Sequence, residues 1–576
     1  IAPENDDSKH ISIFCSACQQ TIYLHHLLHH KKTHKALTVL GFDSPQRRTD
    51  NKTLLAQRQK LISKLTKIPK YSEARRQKID YSFDFLMDNN TPTPYCDLAD
   101  TNNPSTFKKV NNSLIKALSI CQDKNATWRA DMEDRFIVLD SYGNRSDTCF
   151  LGLVDGSHGV TAAETVAAEL PLLFLDQLAQ TDSSYKKSKD EQQVLDSFAT
   201  VIRADYRETE QLFSDKPGND KTNPYEWIHK AYAKSFWRMD RLLRLGRNEV
   251  SKVRWSGCSA VICLVERIPS EETNGTEEEG ENHSEATTGS PLTSTARGAA
   301  GLLHVANVGN AHAVLCKNGK SHCLSKEHST SNASERKRIL QNGGNISTNE
   351  PDGLVEGYLR TTRGLGHHGD PVLKRSVIPV PHTISVPIDD TCEFLILASN
   401  GLWEVLDYNE VLALTLKTFT HYLKRYECVQ QNRTSPYKCQ HLMPLTEDNL
   451  NDSKAIKDLQ DGTEILYCNK PKYSRRNHLQ KKMDSEIFCD QLASYAAQKL
   501  LKTVSPVGSK PPSQFEEDTK RYSSRCKPQS AGRGRVTSET LYDNAASYIS
   551  EQLLKTALAA GSRDNITILI VLLTGC

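Results

Sequence analysis

The sequence predicts an α+β fold of packed sheets with helices outside them. Three observations point there. Short apolar runs punctuated by Gly and Asp recur from about residue 125 onward, helical stretches at 3.6-residue spacing lie between them, and the two kinds come in runs rather than in strict alternation. At 576 residues the chain exceeds what one small core needs, so one large domain with appendages, or two domains, is expected.

Buried strands are expected at Phe136–Leu139, Phe150–Val154, Ala260–Val265, Leu302–Ala306, Phe394–Ala398 and Ile566–Leu573. Val160–Leu178, rich in Ala and Leu, reads as a helix. So does Trp227–Leu245, where Ile228, Ala231, Tyr232, Ala233, Phe236, Met239, Leu242 and Leu243 lie near one face. Ser331–Asn342 opens on a Ser cap and stops at Gly343-Gly344. Asp484–Leu501 and Thr540–Ala559 are further helix candidates. Two insertions interrupt this texture. Residues 268–298 are Glu-, Ser-, Thr- and Gly-rich and nearly free of aliphatics, which predicts a disordered acidic loop. Residues 428–535 mix basic pieces with a Pro/Ser/Lys/Arg-rich end. The organisation expected is a Cys/His-rich segment at 1–40, a basic polar extension at 41–120, and a domain at 121–576 carrying both insertions.

Composition excludes several classes. A net charge of +3 is too near neutral to argue for a nucleic-acid partner. No stretch approaches 18 consecutive apolar residues, so no membrane span is expected. The N-terminus lacks the basic and apolar regions of a signal peptide, and the missing initiator Met leaves open that the chain is a fragment. Sixteen Cys are scattered, several in or beside apolar runs (Cys258, Cys263, Cys392), which suits reduced, buried thiols in the cytosol or nucleus.

Four strings carry the chemistry. Asp155 follows the run Phe150–Val154 and precedes Gly156; Asn400 follows Phe394–Ser399 and precedes Gly401. Asp564-Asn565 stands just before the last apolar run, and Glu133-Asp134 just before Phe136. Carboxylates and amides at strand ends beside Gly suit a hard cation, because carboxylates reach the metal and Gly lets carbonyl oxygens approach. Each Asp-Gly or Asn-Gly alone also reads as an ordinary turn; jointly, with their flanks, they point to a site.

Those flanks resemble the motifs of the type 2C, metal-dependent protein phosphatases, over about Trp128 to Leu573 outside the insertions. The match runs through Trp128-Arg-Ala-Asp-Met-Glu-Asp, Asp155-Gly, Leu303–Leu315, Tyr358-Leu-Arg-Thr-Thr-Arg-Gly-Leu-Gly, Leu395-Ile-Leu-Ala-Ser-Asn-Gly-Leu-Trp and Ser562-Arg-Asp-Asn-Ile-Thr. The resemblance implies a four-layer α-β-β-α sandwich of two antiparallel sheets flanked by helices, with the site at one sheet edge. It implies Mg²⁺ or Mn²⁺ held by Asp155, the Gly156 carbonyl, Asn400 and Asp564, with Glu133 and Asp134 on metal-bound waters. Arg129 would bind the phosphate of a phosphoserine or phosphothreonine protein, which a guanidinium does with two parallel hydrogen bonds.

This sequence departs from that pattern where charge and acidity matter. Ser157 stands at the place of the family's general-acid His, and a hydroxyl cannot protonate a leaving alkoxide as imidazolium can. His158, one residue on, is the available substitute. Asn400 replaces a ligating Asp and removes one negative charge from the metal shell; even groups behind the ligands commonly change affinity or activity by roughly 10–100-fold. Asn310, His312 and His367 replace an Asp, an Arg and an Asp. These substitutions predict weakened metal binding and a pseudophosphatase that binds protein partners or phosphoproteins with little hydrolysis. The alternative is an active Mg²⁺/Mn²⁺-dependent serine/threonine phosphatase with His158 as an atypical acid.

A separate Cys/His cluster stands near the N-terminus. Cys15-x-x-Cys18 and His30-x-x-x-His34 are separated by eleven residues, and Leu27 precedes His30 by three, as a small finger core requires. Such a set can give Zn²⁺ four N or S ligands from a turn and one helix face. His25, His26 and His29 are alternative ligands, and a His-rich helix beside two incidental Cys is the other reading. With few Arg at base-reading positions, an interaction module is as well supported as a nucleic-acid reader.

Overall fold

The structure, a computed structural model, describes residues 12–42, 50–65, 72–88, 105–198, 223–246, 253–268, 300–347, 353–434 and 538–576. These all fall in one compact unit. Most of both insertions and the helix expected at Asp484–Leu501 lie outside the described residues.

The chain opens with a hairpin, β1 (Ser12–Phe14) and β2 (Thr21–Tyr23), followed by helices α1 (Leu24–Val39), α2 (Asn51–Leu65) and α3 (Ser72–Met87). Next come β3 (Thr106–Phe107), β4 (Ile115–Asp123), β5 (Arg135–Leu139), β6 (Thr148–Ser157), α4 (Thr161–Thr181), α5 (Lys189–Asp196) and α6 (Glu226–Leu245). The middle of the chain holds β7 (Gly257–Arg267), β8 (Gly301–Val308), β9 (His312–Lys317), β10 (Lys320–Cys323), α7 (Ala333–Gln341), β11 (Leu365–Gly366) and α8 (Pro371–Ser376). The last described elements are β12 (His382–Ile388), β13 (Cys392–Ala398), α9 (Asn400–Trp403), α10 (Tyr408–Thr434), α11 (Ser538–Ala559) and β14 (Ile566–Leu573).

Two antiparallel sheets result, one ordered β10-β9-β13-β14-β4-β3 and the other β12-β8-β7-β6-β5, with β11 added beside β7. Strand alternation builds the layers. On β14, Leu569, Val571 and Leu573 meet Val261, Cys263 and Val265 of β7 between the sheets. Ile566, Ile568, Ile570 and Leu572 face the other way, onto Ile549, Leu553 and Ala557 of α11 and Val411 and Leu414 of α10. On the far side, Ala260, Ile262 and Leu264 of β7 pack under Phe174 of α4 and Tyr232, Phe236 and Met239 of α6. The four-layer α-β-β-α sandwich is thus present, and the face expected for Trp227–Leu245 is the buried one.

Three expectations are corrected. Residues up to 120 are not all extension: β4 pairs along its length with β14 and straddles the boundary set at 121. Its alternating Ala117, Cys121 and Leu118, Ile120 serve the helical and intersheet cores respectively, a short pattern that the basic flanks mask. The cap of α7 is Asn332, whose side chain accepts from Ser334 N, rather than Ser331. Helix α10 continues to Thr434, past the insertion boundary set at 428. Among the described residues no helix is long and apolar enough to cross a membrane. Among the described residues no cysteine is in a disulfide, and Cys258, Cys263 and Cys392 are buried.

Leu569 is fully buried between the sheets, opposite Leu397 and Ile120. Leu569→Ala is expected to lower stability by about 2–5 kcal/mol, the usual range for a cavity in a close-packed core, read as a lower urea midpoint with an unchanged slope.

Candidate functional site

Four strand ends deliver the polar residues to one edge of the sandwich. β6 ends in Asp155 and Gly156, β5 begins beside Glu133 and Asp134, β13 runs into Asn400 at the start of α9, and Asp564-Asn565 precedes β14. Gly156 admits no side chain, since a Cβ there would run into the Glu133 carbonyl oxygen, and a Cβ on Gly401 would meet that of Asn565. Both glycines therefore sit hard against a neighbouring strand-end carbonyl.

Asn565 joins the first motif to the last. Its Oδ1 accepts from Glu133 N (2.8 Å), while its Nδ2 donates to the carbonyls of Lys124 (2.7 Å) and Asp131 (3.0 Å). Asn125 adds a second tie, donating from Nδ2 to the carbonyls of Ser562 (2.8 Å) and Asp564 (3.1 Å). Sequence reasoning assigned neither residue a task. Asn565 stood inside a quoted motif, but a carboxamide bridging two loops leaves no periodic signal.

Each carboxylate is already engaged. Asp155 Oδ2 accepts the backbone N–H of Asn400 (2.7 Å). Asp564 is paired with Arg129 (2.7 Å) and accepts from the Asn400 side-chain nitrogen (3.3 Å). Asp134 Oδ2 accepts from Thr567 Oγ1 (2.8 Å), and Glu133 Oε1 from Gly159 N (2.8 Å). Burial raises the Asp134 carboxyl to about 7, with the Asp564 charge adding to the rise. Asp155 is pushed well up by burial, then by the charges of Asp134 and Asp564. The Asn400 N–H, and then Arg129, 40% exposed at its side chain, oppose the rise at Asp155.

The substituted positions divide. Ser157 donates to the Gly257 carbonyl (3.3 Å) and lies 3.4 Å from His367 Nε2. His158, in left-handed backbone at φ +59°, meets His367 edge to face with 5.7 Å between ring centroids. His367 is held by its Nδ1 at the Trp255 carbonyl (3.1 Å), and burial depresses it to about 4. These three therefore form one group beside the carboxylates. His312, in contrast, is buried against Trp403 and Tyr408 with Nδ1 on Ser325 Oγ (2.9 Å), a packed side chain away from the site. Asn310 backs onto β7, its N–H donating to Ser259 Oγ (3.2 Å).

Elsewhere, Cys15 and Cys18 at the hairpin meet His30 and His34 on α1, all four ligand atoms within 4.8 Å of one another. Cys18 Sγ lies 3.4 Å from His30 Nε2, and Cys15 Sγ 3.5 Å from His34 Nε2. Tetrahedral Zn²⁺ with ordinary bond lengths needs ligand separations of about 3.3–3.8 Å. Burial lowers His30 to about 4 and also depresses His34, keeping both imidazoles neutral as ligation requires. The alternative ligands stand apart from the group: His25 stacks with His26, and His29 with Phe85.

Comparison with known proteins gives a consistent result. The family pattern described as protein phosphatase 2C matches residues 209–435. The human protein phosphatase 2C-like domain-containing protein 1 is 43% identical, over 97% of this chain and 89% of its own length. The mouse protein of the same name is 37% identical over 97% and 88%. A phosphatase structure from Toxoplasma gondii covers 82% of this chain and 96% of its own at 13% identity, with a TM-score of 0.39 too low to carry weight.

Asp134 supplies a pH test. Its folded-state value of about 7 lies above the ordinary 3.8, so its contribution is fully present below about 3.8 and lost as pH rises through 7. Asp155 is shifted the same way. Stability measured by urea melts is expected to fall across that interval, and Asp134→Asn to flatten the fall.

Proposed function

The chain belongs to the type 2C protein phosphatase family, and from that premise we propose that its phosphatase-like domain, which takes in β4 and runs to β14, binds phosphorylated protein chains without hydrolysing them. The observation that carries the proposal is Asn400. Its carboxamide faces Asp564 with N–H groups at 3.3 Å, so it presents donors where the family would place a further anion. Octahedral Mg²⁺, or Mn²⁺ with similar oxygen preferences, needs free oxygen lone pairs. Here Asn400, Arg129 and Thr567 engage oxygens of Asp155, Asp564 and Asp134. The donor set does not fit a pair of such ions, although Asp155, Asp564 and the Gly156 carbonyl leave room for one weakly held cation.

Ser157 supports the same reading, because its hydroxyl donates to a backbone carbonyl and is no proton source for a leaving alkoxide. His158 would have to leave its contact with His367 to act as the acid. Arg129 is the group suited to a phosphate: it is part-exposed, and its fork matches two phosphate oxygens. Asp564 holds it in place until an anion competes.

For the N-terminal segment we propose a structural Zn²⁺ site on Cys15, Cys18, His30 and His34, a finger-like module rather than a nucleic-acid reader. The reduced thiols support residence in the cytosol or nucleus.

Purified protein titrated with Mn²⁺ is expected to show no appreciable turnover of a phosphothreonine peptide. It is expected to bind that peptide, with Arg129→Ala weakening affinity roughly tenfold or more, the value of a charge-assisted pair. Asn400→Asp is expected to raise Mn²⁺ affinity by at least about tenfold, read by calorimetry. Turnover in the unmodified chain that is abolished by Asp155→Ala would establish the active phosphatase instead.

A further inference from the structure

We infer that the Cys/His module is a clamp whose metal holds the Asn400 and Asp564 loops in register, so that zinc occupancy is felt at the phosphate site. This rests on the Zn²⁺ reading of the module. What it adds is a partner, and the partner is the chain's own phosphatase-like domain.

The module is not a free finger on a tether. Ile13 of β1 and Leu24 and Leu27 of α1 are buried in the same cluster as Val411 of α10 and Leu553 and Ala557 of α11. The inner face of the module is thus part of the outer helical layer of the sandwich. Polar contacts then reach two places that carry the site.

The first is the start of α10. Ser16 donates to Asp407 through its hydroxyl and to Glu410 through its N–H (3.4 Å), and Lys31 pairs with Glu410. Lys417 donates to the Ser12 carbonyl (3.1 Å) and hydroxyl (2.6 Å). Glu410 is almost fully buried, so a charge there without Lys31 would be costly. Ser16 lies between the two cysteines, and Lys31 adjoins His30, so the metal ligands fix both. Just upstream of Asp407, the α9 turn carries Asn400.

The second is the Gly561–Asp564 turn. Gly561 adopts φ +87°, and a Cβ there would fall 2.5 Å from Leu28 Cδ1, so Leu28 of α1 lies directly on the turn. Glu404 grips the same turn from the α9 side, accepting from Ser562 Oγ (3.1 Å) and Arg563 N (2.8 Å). One residue further is Asp564, which positions Arg129. Leu28 is therefore a positioning residue that acts through the turn.

Without metal, the turn carrying Cys15 and Cys18 meets His34 and His30 of α1 through thiol–imidazole contacts of 3.5 and 3.4 Å, each far weaker than a metal–ligand bond. A hairpin of two three-residue strands is too small to hold that geometry alone. The test uses the full chain, first assayed for zinc content and then stripped with a chelator. One equivalent of bound zinc is expected, lost in Cys18→Ser. Removal is expected to speed amide exchange across residues 560–566 by at least roughly tenfold, with β6 and β7 unchanged, and to weaken phosphothreonine-peptide binding. Leu28→Ala is expected to keep its zinc and show the same local loosening. Zinc bound but exchange at 560–566 indifferent to its removal and to Leu28→Ala would overturn the clamp while leaving the metal site standing. A chain that binds no zinc would overturn both. Loosened exchange with unaltered peptide binding would overturn the coupling to the phosphate site, while Arg129→Ala in the zinc-loaded chain tests the phosphate reading on its own.

Discussion

Two buried carboxylates, Asp134 and Asp155, and a part-buried third, Asp564, converge at one sheet edge with Arg129 as the nearby cation. Negative charges in so little water repel one another, and each must be protonated, hydrogen-bonded or paired. Every neighbouring polar group answers that demand: Thr567 serves Asp134, the Asn400 backbone serves Asp155, and Arg129 with the Asn400 carboxamide serves Asp564. An amide at position 400 lowers the local charge by one and supplies a donor as well. The amide therefore relieves repulsion that a carboxylate at the same place would add.

The edge can hold this arrangement because the strands that bear it are immobilised by packing on both faces. β14 is the clearest case, with alternate residues committed to the intersheet core and to the α10–α11 layer. A strand so placed cannot slip by one residue without exchanging its two buried sets, so Asp564 and Asn565 arrive at its start in a fixed position. The same holds for β6 and Asp155, whose ten residues are almost all buried. Asn565 and Asn125 then lock loop to loop with side-chain to backbone hydrogen bonds.

The N-terminal module extends the same layer. Its apolar face completes the core under α10 and α11, while Ser16, Lys31 and Leu28 touch the segments leading to the site. The Cys/His group and the apolar contacts alternate along a single hairpin and helix, beside segments hundreds of residues away in sequence.

Much of this was written locally. Ile566–Leu573 was legible to the residue because it is apolar apart from Thr567, rich in β-branched residues and entered from a polar turn. Trp227–Leu245 was legible through its periodicity, and the Cys15, Cys18, His30, His34 set through a spacing that brings its four ligand atoms within 4.8 Å of one another. β4 was not, since Ile115–Asp123 mixes Lys116, Ser119 and Gln122 into its pattern and draws its burial from β14, over 400 residues on. The orientation of Asn400 toward Asp564, the turning of His158 onto His367 and the seat of Leu28 on Gly561 were likewise unreadable. The sequence by itself determined which residues were available and which strands would be buried, because hydrophobic periodicity and motif order are local properties. Only the tertiary structure decided which polar atom faces which, because hydrogen-bond partners and charge neighbours belong to the closed sandwich and to no single segment of it.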